Sequence, residues 1–373
     1  MADLLRLAID ATPLLGARTG VGVMTARVLA GLASRSDVDI VAYATTWRGR
    51  GQLPERAAAR VRCVSRPMPA RPLHLAWRHF ELPPIEWFTG PVEVVHGPNF
   101  IVPPTRRAAR VVTVHDLTAV HHPELCTPHT RTYPAALRRA LAHGAWVHTV
   151  SDFVRSEILE QFGADPDRVV TVPNGVDPIP PADPADGHRL AGGDRYLLAM
   201  GTVEPRKNFP SLIRAFDAVA DRIPTARLVI VGPDGWDRER FEAALSAAKH
   251  RGRITRIGMV DEMARAALLR GATALVYPSV YEGFGLPPLE AMSVGLPVLA
   301  ADAGAVREVV GDAALLVPVG DEGALAEAIV RIAEDDSLRA TLTAKGPARA
   351  GRYDWSQSVA GLVALYREAL VWS

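Results

Sequence analysis

Short apolar runs alternate with helical segments through the second half of the chain, and this alternation constrains the fold more than any other feature. The runs fall at 196–200, 228–231, 254–257, 274–277, 298–301 and 314–317, with helix-patterned segments at about 209–221, 238–250, 262–270 and 303–310 between them. Runs this short, without polar alternation, suit strands buried on both faces of a parallel sheet. Strand, helix and next strand in succession predict parallel crossover units. The first half carries similar runs at 4–9, 40–44, 61–64, 92–96, 110–115, 145–150 and 168–172, with helices at about 23–33 and at 152–162, the latter capped by Ser151. A chain of 373 residues exceeds one ordinary core, so two domains are expected. The fold class is α/β, with two doubly wound, Rossmann-like domains. A proline-rich run at 178–194 marks the boundary, giving a first domain over 1–180, a linker over 181–194 and a second domain over 195–354. Helices near 322–334 and 337–350 follow, and 355–373 carries a final amphipathic helix.

Composition narrows the function classes. A formal net charge of +1, with no basic stripe, argues against nucleic acid as a partner. Two cysteines, Cys63 and Cys126, lie far apart and outside any CxxC pair, which reads as free thiols in a reducing compartment. The first strand begins almost at once, no basic–apolar–cleavage succession precedes it, and no apolar stretch approaches the ~20 residues that span a bilayer. A cytoplasmic chain is expected, with peripheral attachment to the inner face of a membrane left open. The segment 66–88 mixes arginine, tryptophan and proline in a way that could touch lipid headgroups, although a surface helix with buried tryptophans accounts for it better. Lysine occurs only at 207, 249 and 345, so Lys207 stands out in a chain whose default cation is arginine.

The stretch 277–299, YPSVYEGFGLPPLEAMSVGLPVL, reads as strand end, glycine loop, short helix and next strand. Gly283 and Gly285 let the backbone lie close to a ligand, and Pro287 and Pro288 open the helix where an N–H is dispensable. The amides of Gly283, Phe284, Gly285 and Leu286 then point out of the helix start and form an anion site suited to phosphate. Glu282 before the glycines and Glu290 one turn into the helix frame that site, placed to accept hydrogen bonds from sugar or ribose hydroxyls.

The segment EGFGLPPLE at 282–290 resembles the Glu-x7-Glu signature of the retaining glycosyltransferases of the GT-B fold, family 4. The resemblance runs along the chain through TGVG at 19–22, HD at 115–116, VSDF at 150–153, VPNGVD at 172–177, GTVEPRKN at 201–208 and GDAALLV at 311–317. It implies two domains facing across a cleft, with the final helix crossing back to the first, and transfer of a hexose from a nucleotide diphosphate sugar to a glycan or lipid-linked acceptor. The closest likeness is to mannosyltransferase-like members, which makes GDP-mannose the first candidate donor. By the same resemblance, Gly20 and Gly22 lie against the donor diphosphate, His115 faces the donor sugar, Glu282 contacts the transferred sugar and Glu290 the ribose. Gly258, Met259 and Val260 would lie beside the base. Val23 and Met24 stand where many relatives carry a basic or aromatic residue, which leaves acceptor recognition open.

Arg206 and Lys207, adjacent after a strand, supply a bidentate fork and a point charge for the same diphosphate, stabilising it as the glycosidic bond breaks. Metal is the other charge carrier. The DxD matches at 37–39 and 165–167 sit at turns away from the glycine loop, and no His/Cys cluster has ligand spacing, so no metal and no cofactor are expected. The competing readings are a nucleotide-sugar 2-epimerase and a noncatalytic nucleotide-sugar-binding protein.

Overall fold

The computed structural model describes residues 4–16, 20–47, 49–64 and 66–372. The chain divides into two compact units, Met1–Gly175 with Asp354–Ser373, and Val176–Tyr353. Unit 1 opens with β1 (Leu5–Asp10), α1 (Gly20–Ala33), β2 (Val38–Tyr43), α2 (Leu53–Arg56), β3 (Arg62–Cys63), α3 (Ala70–His79) and α4 (Glu86–Thr89). It continues with β4 (Val94–Gly97), β5 (Ala109–Val114), α5 (Thr118–His121), α6 (Tyr133–Ala142), β6 (Trp146–Thr149), α7 (Asp152–Phe162) and β7 (Val169–Thr171). Unit 2 comprises α8 (Pro184–Ala191), β8 (Tyr196–Met200), α9 (Phe209–Val219), β9 (Arg227–Val231), α10 (Arg238–Ala247), β10 (Ile254–Ile257) and α11 (Glu262–Gly271). It closes with β11 (Ala274–Tyr277), α12 (Leu286–Ser293), β12 (Val298–Ala301), α13 (Val306–Val310), β13 (Leu315–Val317), α14 (Glu322–Glu334) and α15 (Asp336–Ala350). The last helix, α16 (Trp355–Val371), belongs to unit 1.

Each unit is built on one all-parallel sheet. Unit 1 has the order β3-β2-β1-β4-β5-β6-β7, and unit 2 the order β10-β9-β8-β11-β12-β13. Both are Rossmann-like, and in both the order reverses once, between β1 and β4 and between β8 and β11. Loops leaving the carboxyl ends of strands at such a reversal diverge and open a crevice for ligands. The strands carry the predicted apolar character: Leu197, Leu198 and Ala199 of β8 and Leu275 and Val276 of β11 are fully buried. Burying one such leucine or valine stabilises a fold by about 1.5–3 kcal/mol.

Helix starts follow from side-chain caps. Ser151 accepts from the Val154 amide at α7, Asp261 from Ala264 at α11, and Asp321 from Ala324 at α14. Two boundaries differ from the sequence reading. The run taken as a linker over 181–194 contains α8, started by Asp183 and ended by Gly192 in the left-handed region, so its prolines and glycines punctuate a helix rather than leave coil. The helix expected from about 23 begins at Gly20, with Gly22 buried in its first turn and the Thr25 hydroxyl bonded to the Val21 carbonyl (2.8 Å).

The final helix is integral to unit 1. Val359, Leu362, Val363, Leu365, Tyr366 and Ala369 join the core formed by β1, β2 and α1. Tyr366 also ends a fully buried polar chain that crosses the sheet. The Val172 carbonyl can only accept, so His148 Nε2 carries the proton that bonds it (2.8 Å). Burial keeps His148 neutral, pushed down to about 4, so its Nδ1 accepts from the Thr113 hydroxyl (2.9 Å). Thr113 in turn accepts from His96 Nε2–H (2.7 Å), and His96 Nδ1 accepts from the Tyr366 hydroxyl (2.8 Å). One terminal carbonyl thereby sets every proton along the chain.

Candidate functional site

At the order reversal of unit 2, the loop after β8 and the loop after β11 bring Arg206, Lys207 and Glu282 together. Lys207 Nζ donates to Glu282 Oε1 (2.6 Å) and to the Tyr277 hydroxyl (2.8 Å), and lies 4.8 Å from the centre of the Tyr277 ring. Arg206 bonds Glu282 Oε2, the Tyr281 carbonyl (3.1 Å) and Glu204 Oε1 (2.8 Å). The two loops are also joined through the backbone, Val280 N–H donating to the Arg206 carbonyl (2.9 Å).

Two glycines make this approach possible. Gly201 follows β8 with φ +153°, and a Cβ there would crowd the Lys207 side chain at 3.3 Å. Gly304, at φ +60°, lies so close to the Glu282 backbone that a Cβ would fall 2.3 Å from its carbonyl oxygen. Ala305 N–H then bonds that same carbonyl at 2.8 Å.

Glu282 is 6 % exposed and Lys207 9 %. Burial raises the Glu282 carboxyl, but the charges of Arg206 and Lys207 and hydrogen bonds from Lys207 and Tyr277 outweigh it and hold the group down to about 2. Lys207 is lowered by burial first, with Arg206 adding repulsion, against the raising pull of Glu282 and Glu204. Glu204, Arg206, Lys207 and Glu282 sum to zero formal charge. Any anion received here would be held by individual donors rather than by net charge. Lys207 has three N–H groups, and two have partners among the described residues.

The glycine turn lies beside Glu282. Gly285 is the N-cap of α12, with φ +130°, and the helix opens Leu286-Pro287-Pro288. Four outward amides were expected; those of Phe284, Gly285 and Leu286 make no hydrogen bond among the described residues, and Gly283 makes an interaction of its own. Phe284 is buried edge-on against Tyr353, with ring centres 5.5 Å apart.

Glu290 stands apart from this cluster, in an ion pair with Arg265 of α11. Burial raises its carboxyl, Arg265 opposes, and Asp177 adds to the rise. In the loop after β10, Gly258 accepts from the Gly232 amide (3.1 Å) and Met259 is 68 % exposed; Val260 is half-buried.

The remaining candidates lie in unit 1. His115 follows β5, and its Nε2 donates to the Pro98 carbonyl (2.7 Å), which leaves Nδ1 as the ring's acceptor. Burial lowers its pKa, so the neutral ring is the form present near pH 7. Gly20 and Gly22, expected in a loop, belong to the first turn of α1; the residues at 17–19 lie outside those described. The DxD residues have other partners: Asp37 pairs with Arg35 and Arg367, Asp39 sits on β2, and Asp165 accepts from the Asp167 amide (3.0 Å). Among the described residues no group of His, Cys, Asp and Glu is arranged to hold a metal ion.

Sequence reasoning missed Tyr277, Glu204, Arg265 and Gly304. Glu204 carried a signal, lying two residues before Arg206, and so did Tyr277, which opens the 277–299 stretch five residues before Glu282; Arg265 and Gly304 reach the site only through tertiary packing.

Comparison with known proteins places these features in context. Residues 185–349 match the family described as Glycosyl transferases group 1, and residues 18–179 match Glycosyltransferase Family 4. The chain is 35 % identical over 285 residues to O-antigen chain mannosyltransferase B of Escherichia coli, covering 74 % of each. It is 37 % identical over 223 residues to a phosphatidyl-myo-inositol mannosyltransferase of Mycolicibacterium smegmatis, covering 58 % of this chain and 55 % of that one. The match thus spans about half of the latter protein's length. In structure, sucrose-phosphate synthase from Thermosynechococcus elongatus superposes with a TM-score of 0.80 at 20 % identity, covering 99 % of this chain and 100 % of the other. WaaG, a glycosyltransferase involved in lipopolysaccharide biosynthesis, does so with a TM-score of 0.75 at 18 % identity and 98 % coverage of both. At these identities the structural likeness establishes the fold.

Proposed function

This chain belongs to glycosyltransferase family 4 and is a glycosyltransferase of the GT-B type; on that premise we propose that it moves a hexose from a nucleotide diphosphate sugar to a glycan or lipid-linked saccharide, with retention at the anomeric carbon and without a metal ion. The observation that carries this reading is the Arg206–Lys207–Glu282 cluster at the carboxyl ends of β8 and β11. The donor diphosphate is received by the outward N–H of Lys207, by Arg206 and by the amides of Phe284, Gly285 and Leu286. As the bond to the anomeric carbon breaks, negative charge grows on the leaving phosphate, and buried donors stabilise that charge more than they do the ground state. Glu282 accepts from hydroxyls of the transferred sugar, Glu290 from the ribose, and neutral His115 from a sugar hydroxyl through Nδ1. The backbone at 258–260 flanks the base. Mannose from GDP-mannose is the first donor to test, supported by the mannosyltransferases among the relatives.

A peripheral membrane contact is the finer reading of the segment at 70–88. Leu75, Phe80, Leu82 and Trp87 are exposed there beside Arg71 and Arg78, while Trp77 is buried and bonds the Pro83 carbonyl (2.9 Å). No described helix is long and apolar enough to cross a membrane. Co-sedimentation with anionic vesicles, lost on Phe80→Ser and Trp87→Ser together, tests it; no binding by the unaltered chain refutes it.

The experiment for the main reading is a thermal-shift screen against GDP-, UDP- and ADP-sugars, followed by transfer to a mannoside acceptor with and without EDTA. Binding only the native state raises the melting temperature. Stabilisation by one nucleotide sugar, a product with the donor's anomeric configuration and activity surviving EDTA are expected. An inverted product overturns retention, and loss of activity restored by a divalent ion overturns metal independence. A new nucleotide sugar formed without acceptor would identify an epimerase instead.

A further inference from the structure

We propose that Tyr277 is a positioning residue for the transfer reaction, its hydroxyl aiming the Lys207 ammonium at the leaving diphosphate. The inference rests on the functional reading above and adds a residue to it. An ammonium has three N–H directions at fixed tetrahedral angles. One points at Glu282 Oε1 (2.6 Å) and one at the Tyr277 hydroxyl (2.8 Å). Two fixed directions determine the third. The Cε–Nζ bond is the fourth tetrahedral direction, so Glu282 sets the rotor and the second anchor at Tyr277 holds it against reorientation, keeping the remaining donor in one direction before any ligand arrives. Preorganisation of this kind spares reorganisation at the moment charge develops.

The surroundings hold Tyr277 to this task. Its ring is 2 % exposed at the end of β11, which pairs directly with β8. Burial raises the phenol well above its ordinary value, ahead of the effect of Glu282, so it stays protonated. The oxygen therefore accepts from Lys207. The missing side chain at Gly201 leaves room for the lysine stem to lie along the strand end. A phenylalanine at 277 would keep the ring beneath the ammonium and remove only the aiming hydroxyl.

The charged form of Lys207 faces Glu282, Arg206, Glu204 and Tyr277. Removing the Tyr277 acceptor leaves the ammonium less well solvated, so it loses its proton more readily. Tyr277→Phe should therefore lower kcat by roughly 10- to 100-fold, with a smaller change in KM. The alkaline limb of the kcat profile should also move to lower pH. A role confined to packing would leave that limb in place.

The chain has lysines only at 207, 249 and 345, so lysine carrying 13C at Cε gives a spectrum simple enough to follow each titration. The Lys207 midpoint should fall by roughly one pH unit in Tyr277→Phe, while the other two stay fixed. An unchanged Lys207 titration with unchanged kcat overturns the inference. A second measurement guards against a folding defect: GDP or UDP affinity by calorimetry in Lys207→Ala and in the Lys207→Ala/Tyr277→Phe double variant. Equal affinities are expected, because Tyr277 acts through the lysine, and a further loss in the double variant overturns that route. If the wild-type chain binds none of GDP, UDP and ADP, the functional reading itself fails, whereas the lysine titration still reports on Tyr277 alone.

Discussion

Replacing Glu282 by glutamine separates the two tasks assigned to this carboxylate, and the size of the effect follows from its surroundings. The carboxyl is held at about 2 against an ordinary value of 4.5, which at 1.36 kcal/mol per unit amounts to about 3 kcal/mol favouring the folded state. Leaving Arg206 and Lys207 buried without their anion gives a similar figure, about 3–5 kcal/mol for a broken buried pair. For a unit of this size the melting temperature at pH 7 should fall by roughly 6–12 °C. The pH dependence has a definite sign. The folded pKa lies below the unfolded one, so the stabilisation is fully present above about 4.5 and is lost as pH falls toward about 2. Differential scanning calorimetry of wild type and Glu282→Gln between pH 7 and pH 3 should show a gap that narrows on acidification. Removal of the negative charge should also tighten nucleoside diphosphate binding while transfer is lost, since the cations are freed but the sugar contact is not replaced. A variant melting within about 1 °C of wild type at pH 7, with no change in GDP or UDP affinity, would refute the idea that Glu282 neutralises the cations.

Lys207→Ala should lower kcat/KM by about 2–4 kcal/mol, or roughly 30- to 1,000-fold, as for other lost oxyanion donors, with circular dichroism unchanged; wild-type turnover would remove Lys207 from the site. His148, held neutral at about 4 against an ordinary 6.5, should make the fold less stable as pH drops through that interval, because the unfolded chain takes up the proton first. His148→Gln should flatten the stability profile over that window, and an unaltered profile would contradict the proton order assigned to the buried chain.

Much of the architecture was legible because buried parallel strands leave an unambiguous mark: 196–200, 254–257, 274–277 and 298–301 coincide with β8, β10, β11 and β12. The helix at 152–162 was readable from its cap. What failed was local punctuation under tertiary control. Gly20 and Gly22 looked like loop residues, yet a helix can include glycines when its other side chains pack, as Met24, Val28 and Leu32 do. The run at 178–194 looked like a tether because prolines and glycines also start and stop helices. In the site, Arg206, Lys207 and Glu282 were visible as chemistry, but their mutual neutralisation was not, because a charge pair 75 residues apart leaves no pattern in the chain. Arg265, reaching Glu290 from another helix, was hidden for the same reason.

The placement of α16 orders events during synthesis. Unit 1 is discontinuous, and the side chains of Leu362, Val363 and Tyr366 fill its core. These residues leave the ribosome only after all of Val176–Tyr353 has emerged. The segment translated first must therefore wait, with the sheet face that α16 covers still open to water, while the segment translated second can already fold. Nascent chains stalled before residue 355 should carry a finished Val176–Tyr353 unit beside an amino-terminal unit that chaperones still recognise.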